Sequence, residues 1–374
     1  MPVADTLTKL YIEITTACNL DCQICLRRTW NEPIGRHMPL DTFRNLMDDL
    51  AQLPAPPTVH LSGYGEPLAH PNFLEMVRLA KATGASVEIT TNGMLLDAKM
   101  AQALIELDLN KIMVSIDSVE PDVYNELRVK SDYQQVISNF RQLRRLKLRG
   151  KGRHSNPQVG ISFVAMRSNV ADLPKLPALA TYLGAWEIQV SNLEPHTPNM
   201  EHEILYAQSL RSAAYRASRW VPNMNLPKMD MDTDTRNPIG ELHDSTVSLS
   251  WLDQSMSNRN NYCTFAQQGY AAIRWDGEIS PCLPLLHDHP TYLLGRRKQI
   301  TRHSLGNINQ QPMTAVWAAP EFTTFRQKMR DFPFSPCSTC GGCERFPGNW
   351  VDCSHNEFPT CGGCLWSQGF VQCP

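Results

Sequence analysis

The cysteines of this chain are confined to its two ends, and this distribution constrains the fold more than any other feature. Three of the 12 cysteines, Cys18, Cys22 and Cys25, follow a short apolar segment that ends near Ile14. The other nine all lie beyond residue 262. In a chain of 374 residues without an export signal, tight cysteine clusters favour metal binding in a reducing compartment over a disulfide framework. We therefore expect a cytoplasmic protein with cysteine-bound metal at both ends of the chain.

The spacing of the first three cysteines indicates a cluster with one open iron. Three and then two residues separate them, so one short loop can supply three thiolates to a cluster of four irons. The fourth iron is then left without a protein ligand, which makes the loop a candidate reaction centre. Structural zinc takes four ligands, usually from two paired hooks, and the Cys-x2-Cys pairs near the C-terminus leave zinc open as an alternative there.

Composition and charge bear on the possible partners. Charged residues make up 19% and hydrophobic residues 42% of the chain, an ordinary balance for a globular protein. The formal net charge of −2 gives no reason to expect nucleic acid or an anionic membrane as a partner. No apolar run approaches the ~20 residues that a membrane helix needs. We expect no nucleic-acid partner and no membrane association.

Strand-like and helix-like segments alternate six times between residues 10 and 195. Strand patterns occur near 10–14, 59–61, 86–90, 112–116, 159–164 and 187–190, with helical patterns between them. Six such units predict a parallel sheet with ligands at the carboxyl ends of the strands, and they are too few for a closed eight-fold barrel. We predict an α/β fold, with a partial (β/α)6 barrel at 1–195, a bridging segment at 196–260 and a small cysteine-rich domain at 261–374.

One further segment, Arg141–Arg153, carries seven basic residues interleaved with leucines. This pattern is typical of a helix with a core stripe and a solvated basic face. A docking patch for an acidic electron donor is the alternative.

The first cysteine loop resembles the signature of the radical S-adenosylmethionine (SAM) enzymes. In that family the open iron of a [4Fe–4S] cluster binds SAM, and reduction of the cluster cleaves SAM to a 5′-deoxyadenosyl radical. Later segments are similar to the family's in order and context: SGYGEP at 62–67, TTNG at 90–93, SIDS at 115–118 and NELR at 125–128. The resemblance implies SAM contacts from Ile24, Gly63, Gly65, Glu66, Asn92, Ser115, Asp117, Arg128 and Val190.

The family pattern also implies a role for several of these residues. Glu66 would hold the SAM ammonium, in a turn whose glycines permit close backbone approach. Arg128 would face the SAM carboxylate, and Ile24 and Val190 would pack on the adenine. Tyr64 stands where the family usually has a glycine.

The C-terminal cysteines resemble a SPASM domain, a module that binds auxiliary iron–sulfur clusters beside a radical SAM core. Its opening pattern matches Cys263, thirteen residues, Gly277, four residues and then Cys282. Two four-thiolate clusters need eight of the nine cysteines, so we expect two auxiliary [4Fe–4S] clusters and one spare thiol. One cluster would use Cys263 and Cys282 with late cysteines, and the other Cys337 and Cys340 with later ones. The candidate ligands are Cys263, Cys282, Cys337, Cys340, Cys343, Cys353, Cys361, Cys364 and Cys373. His287 and His289, which follow the Cys282 loop, are predicted to be surface or capping residues rather than ligands.

The resemblance implies an enzyme whose radical abstracts hydrogen from a substrate, with a flavodoxin- or ferredoxin-type electron donor. RRTWNE at 27–32 and CGGCLWSQG at 361–369 resemble the maturases linked to tungsten-cofactor oxidoreductases, which implies a protein or pterin-cofactor substrate. A peptide or protein side-chain maturase and a small-molecule (sugar) dehydrogenase are alternatives. The first strand begins by about residue 10, so we expect no N-terminal peptide-binding module. A non-catalytic iron–sulfur electron carrier or a zinc-bound scaffold is the alternative of another class.

Overall fold

The structure is a computed structural model that describes most of the chain. The described residues are 6–150, 155–207, 223–226, 248–251, 254–255, 262–335, 337–338, 347–352 and 354–372. Of 223–226, 248–251 and 254–255 only the backbone is described. The strands are β1 Lys9–Ile12, β2 Thr58–His60, β3 Val87–Thr91, β4 Lys111–Ser115, β5 Gln158–Ala165, β6 Glu187–Asn192, β7 Asn223–Leu226, β8 Ser248–Trp251, β9 Gln254–Ser255, β10 Tyr270–Ile273, β11 Glu278–Ser280, β12 His289–Leu293, β13 Arg296–Ile300 and β14 Gly306–Asn307. The helices are α1 Leu40–Leu50, α2 Phe73–Ala82, α3 Ala98–Glu106, α4 Pro121–Leu127, α5 Tyr133–Arg149, α6 Leu176–Leu183, α7 Thr264–Gln268, α8 Met313–Ala318 and α9 Pro320–Asp331.

A nine-stranded sheet with the order β14-β11-β10-β1-β2-β3-β4-β5-β6 is the centre of the fold. Strands β1 to β6 pair in sequence and in parallel. Strands β1 and β6 stand at opposite sides of this six-stranded part, so the barrel stays open between them. The predicted α/β architecture, a partial (β/α)6 barrel, is confirmed.

The outer face of the sheet carries the main hydrophobic core. Successive side chains of a strand point to opposite faces, and Leu10 and Ile12 of β1 belong to this core. Helix α1 buries Phe43, Leu46 and Leu50, whose spacing of three and four residues forms one apolar stripe. The helices therefore cover the outer face and leave the inner face of the barrel to other side chains.

The C-terminal part of the chain continues the same sheet. Strand β10 pairs in parallel with β1, and β11 and β14 follow antiparallel. At the other side of the opening, the side-chain amide of Asn192 donates to the Phe370 carbonyl (2.8 Å), and the Gln372 amide donates to the Ser191 hydroxyl (2.9 Å). Residues near the C-terminus thus lie along β6 and cover the open side of the barrel.

The described part of the basic segment, 141–150, forms the end of α5, where Leu143 is buried but Leu148 is 53% exposed. The predicted core stripe with a solvated basic face is therefore only partly present, since Lys147 is buried as well. Across the described ranges, no helix combines the length and apolarity that a membrane crossing requires.

Candidate iron–sulfur and SAM site

The loop with the first three cysteines lies directly after β1, at the carboxyl end of the barrel strands. The Cys18 sulfur accepts hydrogen bonds from the Leu20 amide (3.4 Å) and from Asn92 Nδ2 (3.7 Å). The Cys25 amide donates to the Cys22 carbonyl (3.1 Å), which closes a tight turn between these two cysteines. Donors that point at sulfur stabilise thiolate charge, so the loop is arranged to hold a thiolate-ligated cluster.

Two buried arginines lie beside this loop. The Arg27 guanidinium donates to the Thr16 and Leu20 carbonyls (3.1 and 3.0 Å), which fixes the loop from within. Burial raises the pKa of the Cys22 thiol to about 11, and the charge of Arg128 opposes that rise. A cluster takes the deprotonated thiolate, so these cations favour the form that binds iron.

The donor set fits an iron–sulfur cluster, because one loop supplies the three thiols of Cys18, Cys22 and Cys25. The cysteines of both groups that the structure describes are free thiols. Among the described residues, no three His, Cys, Asp or Glu side chains converge as ligands of one ion. In a four-iron cluster each thiolate binds a different iron, so its ligands lie further apart than those of zinc.

Glu66 of the glycine-containing turn is buried and links the ends of β2 and β3. Its carboxylate accepts from the Thr91 hydroxyl (2.7 Å) and from the Asn92 amide (2.8 Å). It also accepts from the Leu68 amide (3.1 Å). Burial raises the pKa of Glu66, and these hydrogen bonds oppose the rise. A carboxylate offers about four acceptor positions, so a further donor such as an ammonium can still bind.

The two glycines of this turn are required by the chain itself. A Cβ on Gly65 would overlap the Thr15 carbonyl oxygen and lie 2.8 Å from the Ala17 carbonyl oxygen. A Cβ on Gly63 would meet the Glu13 side chain. The turn therefore packs against the cysteine loop without space for a methyl group, and both segments form one unit.

Of the predicted residues at the ends of the next strands, Asn92 contacts the cysteine loop directly. Asn92 Nδ2 donates to Asn19 Oδ1 (2.9 Å) as well as to Cys18. Asp117 and Arg128 form a buried ion pair (2.7 Å). Burial alone would lower the pKa of Arg128, but Asp117 raises it, and the guanidinium stays charged beside Cys22. Ser115 ends β4 in register with Ser162 of β5.

The two residues predicted to contact adenine lie in different environments. Ile24 packs against Leu127 and Leu193, near the carboxyl end of β6. Val190 lies on the same face of β6 as Ile188, which packs on the outer core, and Val190 is 37% exposed. The structure brings Ile24 together with Leu193 and does not bring Val190 to this cluster. Leu193, which follows β6, was not among the predicted contacts.

The C-terminal cysteines form a second buried group. Cys282 interacts electrostatically with Cys263, Cys361 and Cys364, and burial raises the pKa of Cys263 to about 12. Cys263, Cys282 and Cys364 line a cavity of about 530 Å³. Among the described late cysteines, Cys361 and Cys364 lie near Cys263 and Cys282. Cys337 lies beside this group, whereas Cys340, Cys343, Cys353 and Cys373 lie outside the described residues.

The inner face of the barrel is polar. Lys9 pairs with Glu88 (3.0 Å), and Lys111 pairs with Glu187 (2.6 Å). Burial lowers the pKa of His60 to about 4, so its ring is neutral. The sequence signal for this polar face was a polar residue at every second strand position. A strand covered by apolar layers on both faces has a continuous hydrophobic run instead.

The prediction that His287 is a surface or capping residue is wrong. Its side chain is fully buried and stacks on Trp30 at 4.0 Å between ring centroids. Its Nε2 lies 2.8 Å from Glu13 Oε2, and its Nδ1 lies 3.4 Å from Glu32 Oε2. The other Glu13 oxygen accepts from the Tyr64 amide (3.2 Å). His287 therefore joins the loop after Cys282 to the turn that carries Glu66.

Comparisons with known proteins agree with this geometry. Residues 12–157 match the radical SAM superfamily, and residues 263–344 match the iron–sulfur cluster-binding domain called SPASM. The tungsten-containing aldehyde ferredoxin oxidoreductase cofactor-modifying protein of Pyrococcus furiosus is 30% identical over 98% of this chain and 96% of its own length. The PqqA peptide cyclase of Gluconobacter oxydans is 24% identical over 92% of this chain and 84% of its own.

Solved structures share the fold. Streptococcus suis SuiB bound to the precursor peptide SuiA superposes with a TM-score of 0.58 at 13% identity, over 91% of this chain and 70% of that one. Both domain matches and the full-length relative place a SAM-binding [4Fe–4S] core before an auxiliary-cluster domain. The chain belongs to the radical SAM superfamily and is a radical SAM enzyme with a C-terminal SPASM domain.

Proposed function

We propose that this enzyme modifies a tungsten-containing oxidoreductase or its pterin cofactor. The observation that carries the proposal is the 30% identity to the Pyrococcus furiosus cofactor-modifying protein, which extends over both domains. The barrel also contains a cavity of about 530 Å³, lined in part by Lys9, Lys111 and Glu187, which has the size of a small-molecule site.

The proposed ligands of the SAM-binding cluster are Cys18, Cys22 and Cys25. When bound, this cluster and SAM supply the radical that abstracts hydrogen from the substrate. The chain's own residues position the two groups. Arg27 holds the loop, and the Glu66 turn packs directly on it. Asp117 holds the Arg128 guanidinium in place, and the remaining guanidinium donors can meet a carboxylate.

For the auxiliary clusters we propose two ligand sets. Cys263, Cys282, Cys361 and Cys364 hold one cluster, supported by their shared buried environment. Cys337 and later cysteines hold the second, with Cys340, Cys343, Cys353 and Cys373 as its candidates. The proposed division of the chain is a core at 1–195, a bridging segment at 196–260 and a cluster domain at 261–374.

We further propose a cytoplasmic location and a flavodoxin- or ferredoxin-type electron donor. Free thiols at all described cysteine positions support a reducing compartment. The donor proposal is tested by measuring SAM cleavage with reduced flavodoxin or ferredoxin in place of dithionite. No cleavage with either protein would contradict it.

The SAM and cluster assignments are tested by anaerobic reconstitution with iron and sulfide, followed by dithionite and SAM. We expect 5′-deoxyadenosine and methionine from the wild-type protein and none from C18A, C22A or C25A. A loaded protein that forms neither product would support the electron-carrier alternative. Zinc in place of iron in the purified protein would support the scaffold.

The substrate is tested with a tungsten-containing aldehyde oxidoreductase isolated from cells that lack this protein. We expect a mass change in the oxidoreductase or its extracted cofactor and a rise in 5′-deoxyadenosine above the substrate-free rate. An unchanged mass and an unchanged rate would refute the proposal.

Peptide or protein side-chain modification is the second candidate. The similarity to the Gluconobacter oxydans peptide cyclase over most of both chains favours it. The same 5′-deoxyadenosine assay with short peptides encoded near this gene distinguishes the candidates, and a sugar alcohol in that assay tests the dehydrogenase alternative. A peptide that raises the rate and gains a mass change would favour this second candidate.

A further inference from the structure

Lys298 is a buried cation placed between the C-terminal cysteines. It lies on β13, paired with Thr291 of β12, and is only 5% exposed. Its ammonium nitrogen touches Gly363, because a Cβ added to Gly363 would overlap it. Gly363 separates Cys361 from Cys364, so the ammonium lies against the loop that carries both thiols.

The second cysteine set lies near the same point. The Cβ of Cys337 is 3.5 Å from the position that a Gly363 Cβ would take. Burial lowers the pKa of Lys298, and the charges of Cys337, Cys364, Cys361 and Glu194 oppose that fall. One lysine thus faces thiols from both proposed ligand sets.

A buried lysine at this position needs negative partners. Moving an ammonium out of water costs several kcal/mol unless opposite charges surround it. Glu194 is one such partner, but its carboxylate also accepts a hydrogen bond from the Trp366 indole N–H (3.0 Å) and is not dedicated to the lysine. A [4Fe–4S] core held by four thiolates carries net negative charge, and that charge grows when the cluster gains an electron.

We propose that Lys298 raises the reduction potential of the auxiliary cluster on Cys361 and Cys364 by opposing the charge of its reduced form. A cation in a low-dielectric interior acts strongly on a nearby anion, and net charge is one of the factors that set cluster potentials. The same cation weakens the repulsion between the two auxiliary clusters. The inference rests on the ligand sets proposed above, and Lys298 acts as a positioning charge without contact to the reacting atoms.

The experiment uses the full chain with C18A, C22A and C25A substitutions, so that only the auxiliary clusters contribute signals. Midpoint potentials are measured by redox titration followed with electron paramagnetic resonance. Lys298→Met keeps the length of the side chain and removes its charge. Gly363→Ala keeps the charge but pushes the flexible ammonium away. Lys175→Met, at an exposed lysine paired with Glu120 and Asp172, removes one charge far from the cysteines.

We expect a lower potential in K298M, a smaller fall in G363A and no change in K175M. Unchanged potentials in K298M with full iron content would overturn the inference and leave the ligand sets standing. An equal fall in K175M would overturn it too, since the effect would be one of overall charge. If K298M does not retain iron, G363A decides alone, and its potential must fall. Iron for fewer than two clusters in the parent protein would overturn the ligand sets together with the inference.

Discussion

The buried His287–Glu13 pair predicts a pH dependence of stability that can be measured. Burial of the His287 ring would lower its pKa, but Glu13 and Glu32 raise it from 6.5 to about 8. The difference between a pKa of 6.5 and one of about 8 corresponds to roughly 2 kcal/mol of interaction that the charged ring gains over the neutral ring. The groups that face this ring are Glu13 and Glu32, and Arg274 and Arg302 pair with Glu32 from the other side.

The sign follows from the direction of the shift. Because the folded-state pKa is raised, the stabilisation is fully present below the unfolded value of 6.5 and is lost as the pH rises through about 8. We therefore expect the difference in unfolding free energy between wild type and His287→Gln to shrink by roughly 2 kcal/mol between about pH 6 and about pH 9. Any part of this free-energy difference that does not change with pH reflects the packing of the His287 ring against Trp30.

The assay is urea unfolding at intervals across that range, followed by tryptophan fluorescence. His289→Gln is the matched control, because burial lowers the pKa of His289 to about 4 and its ring stays neutral throughout. Because the unfolded His289 still titrates near 6.5, the difference between wild type and H289Q should change by less than about 1 kcal/mol below about pH 7, and in the opposite direction. It should stay constant above about pH 7.5, where the His287 contribution is lost. A constant difference for H287Q as well would show that the His287 ring is not charged in the folded protein.

Three further predictions concern the cysteine sites. Arg128→Met leaves Asp117 buried without its partner and should destabilise the protein by about 3–5 kcal/mol in urea unfolding. The double variant with Asp117→Asn should recover part of that loss. Strictly additive effects of the two substitutions would contradict the pairing. Gly65→Ala forces the turn away from the cysteine loop and should lower the amount of iron bound after reconstitution. The control Gly150→Ala, whose Cβ would make an ordinary contact at 3.5 Å, should bind iron like the wild type. Normal iron loading of G65A would refute this prediction. Cys361→Ala should remove about four irons per chain while 5′-deoxyadenosine still forms, and an unchanged iron content would remove Cys361 from the ligand set.

Much of the fold could be predicted because its signals are local. Strand and helix periods are properties of contiguous residues, and six alternating units are enough to indicate a parallel, incomplete barrel. The spacing of Cys18, Cys22 and Cys25 is equally local, since one short loop carries all three. Glu66, Asn92 and Arg128 follow consecutive strands, and parallel strands end at the same edge, so their approach to the loop could also be expected.

The individual contacts within the site were harder to predict. Glycines at 63 and 65 indicated a close approach, but only the structure shows that the approaching groups include Glu13 and Thr15 of the same chain. Val190 was predicted to contact adenine because it lies on the sixth strand. The face of the sheet to which its side chain points depends on the register of β6. The roles of the named SAM contacts stay predictions.

The class of chemistry follows from the amino-acid sequence alone: three thiolates in one loop, nine more at the other end, and the strand–helix order between them. Which distant residues meet depends on the fold. It brought Cys361 and Cys364 to Cys263 and Cys282, and it buried Lys298 beside them. The physical reason is that spacing along the chain specifies contacts within a loop, whereas contacts between separate elements depend on how those elements pack.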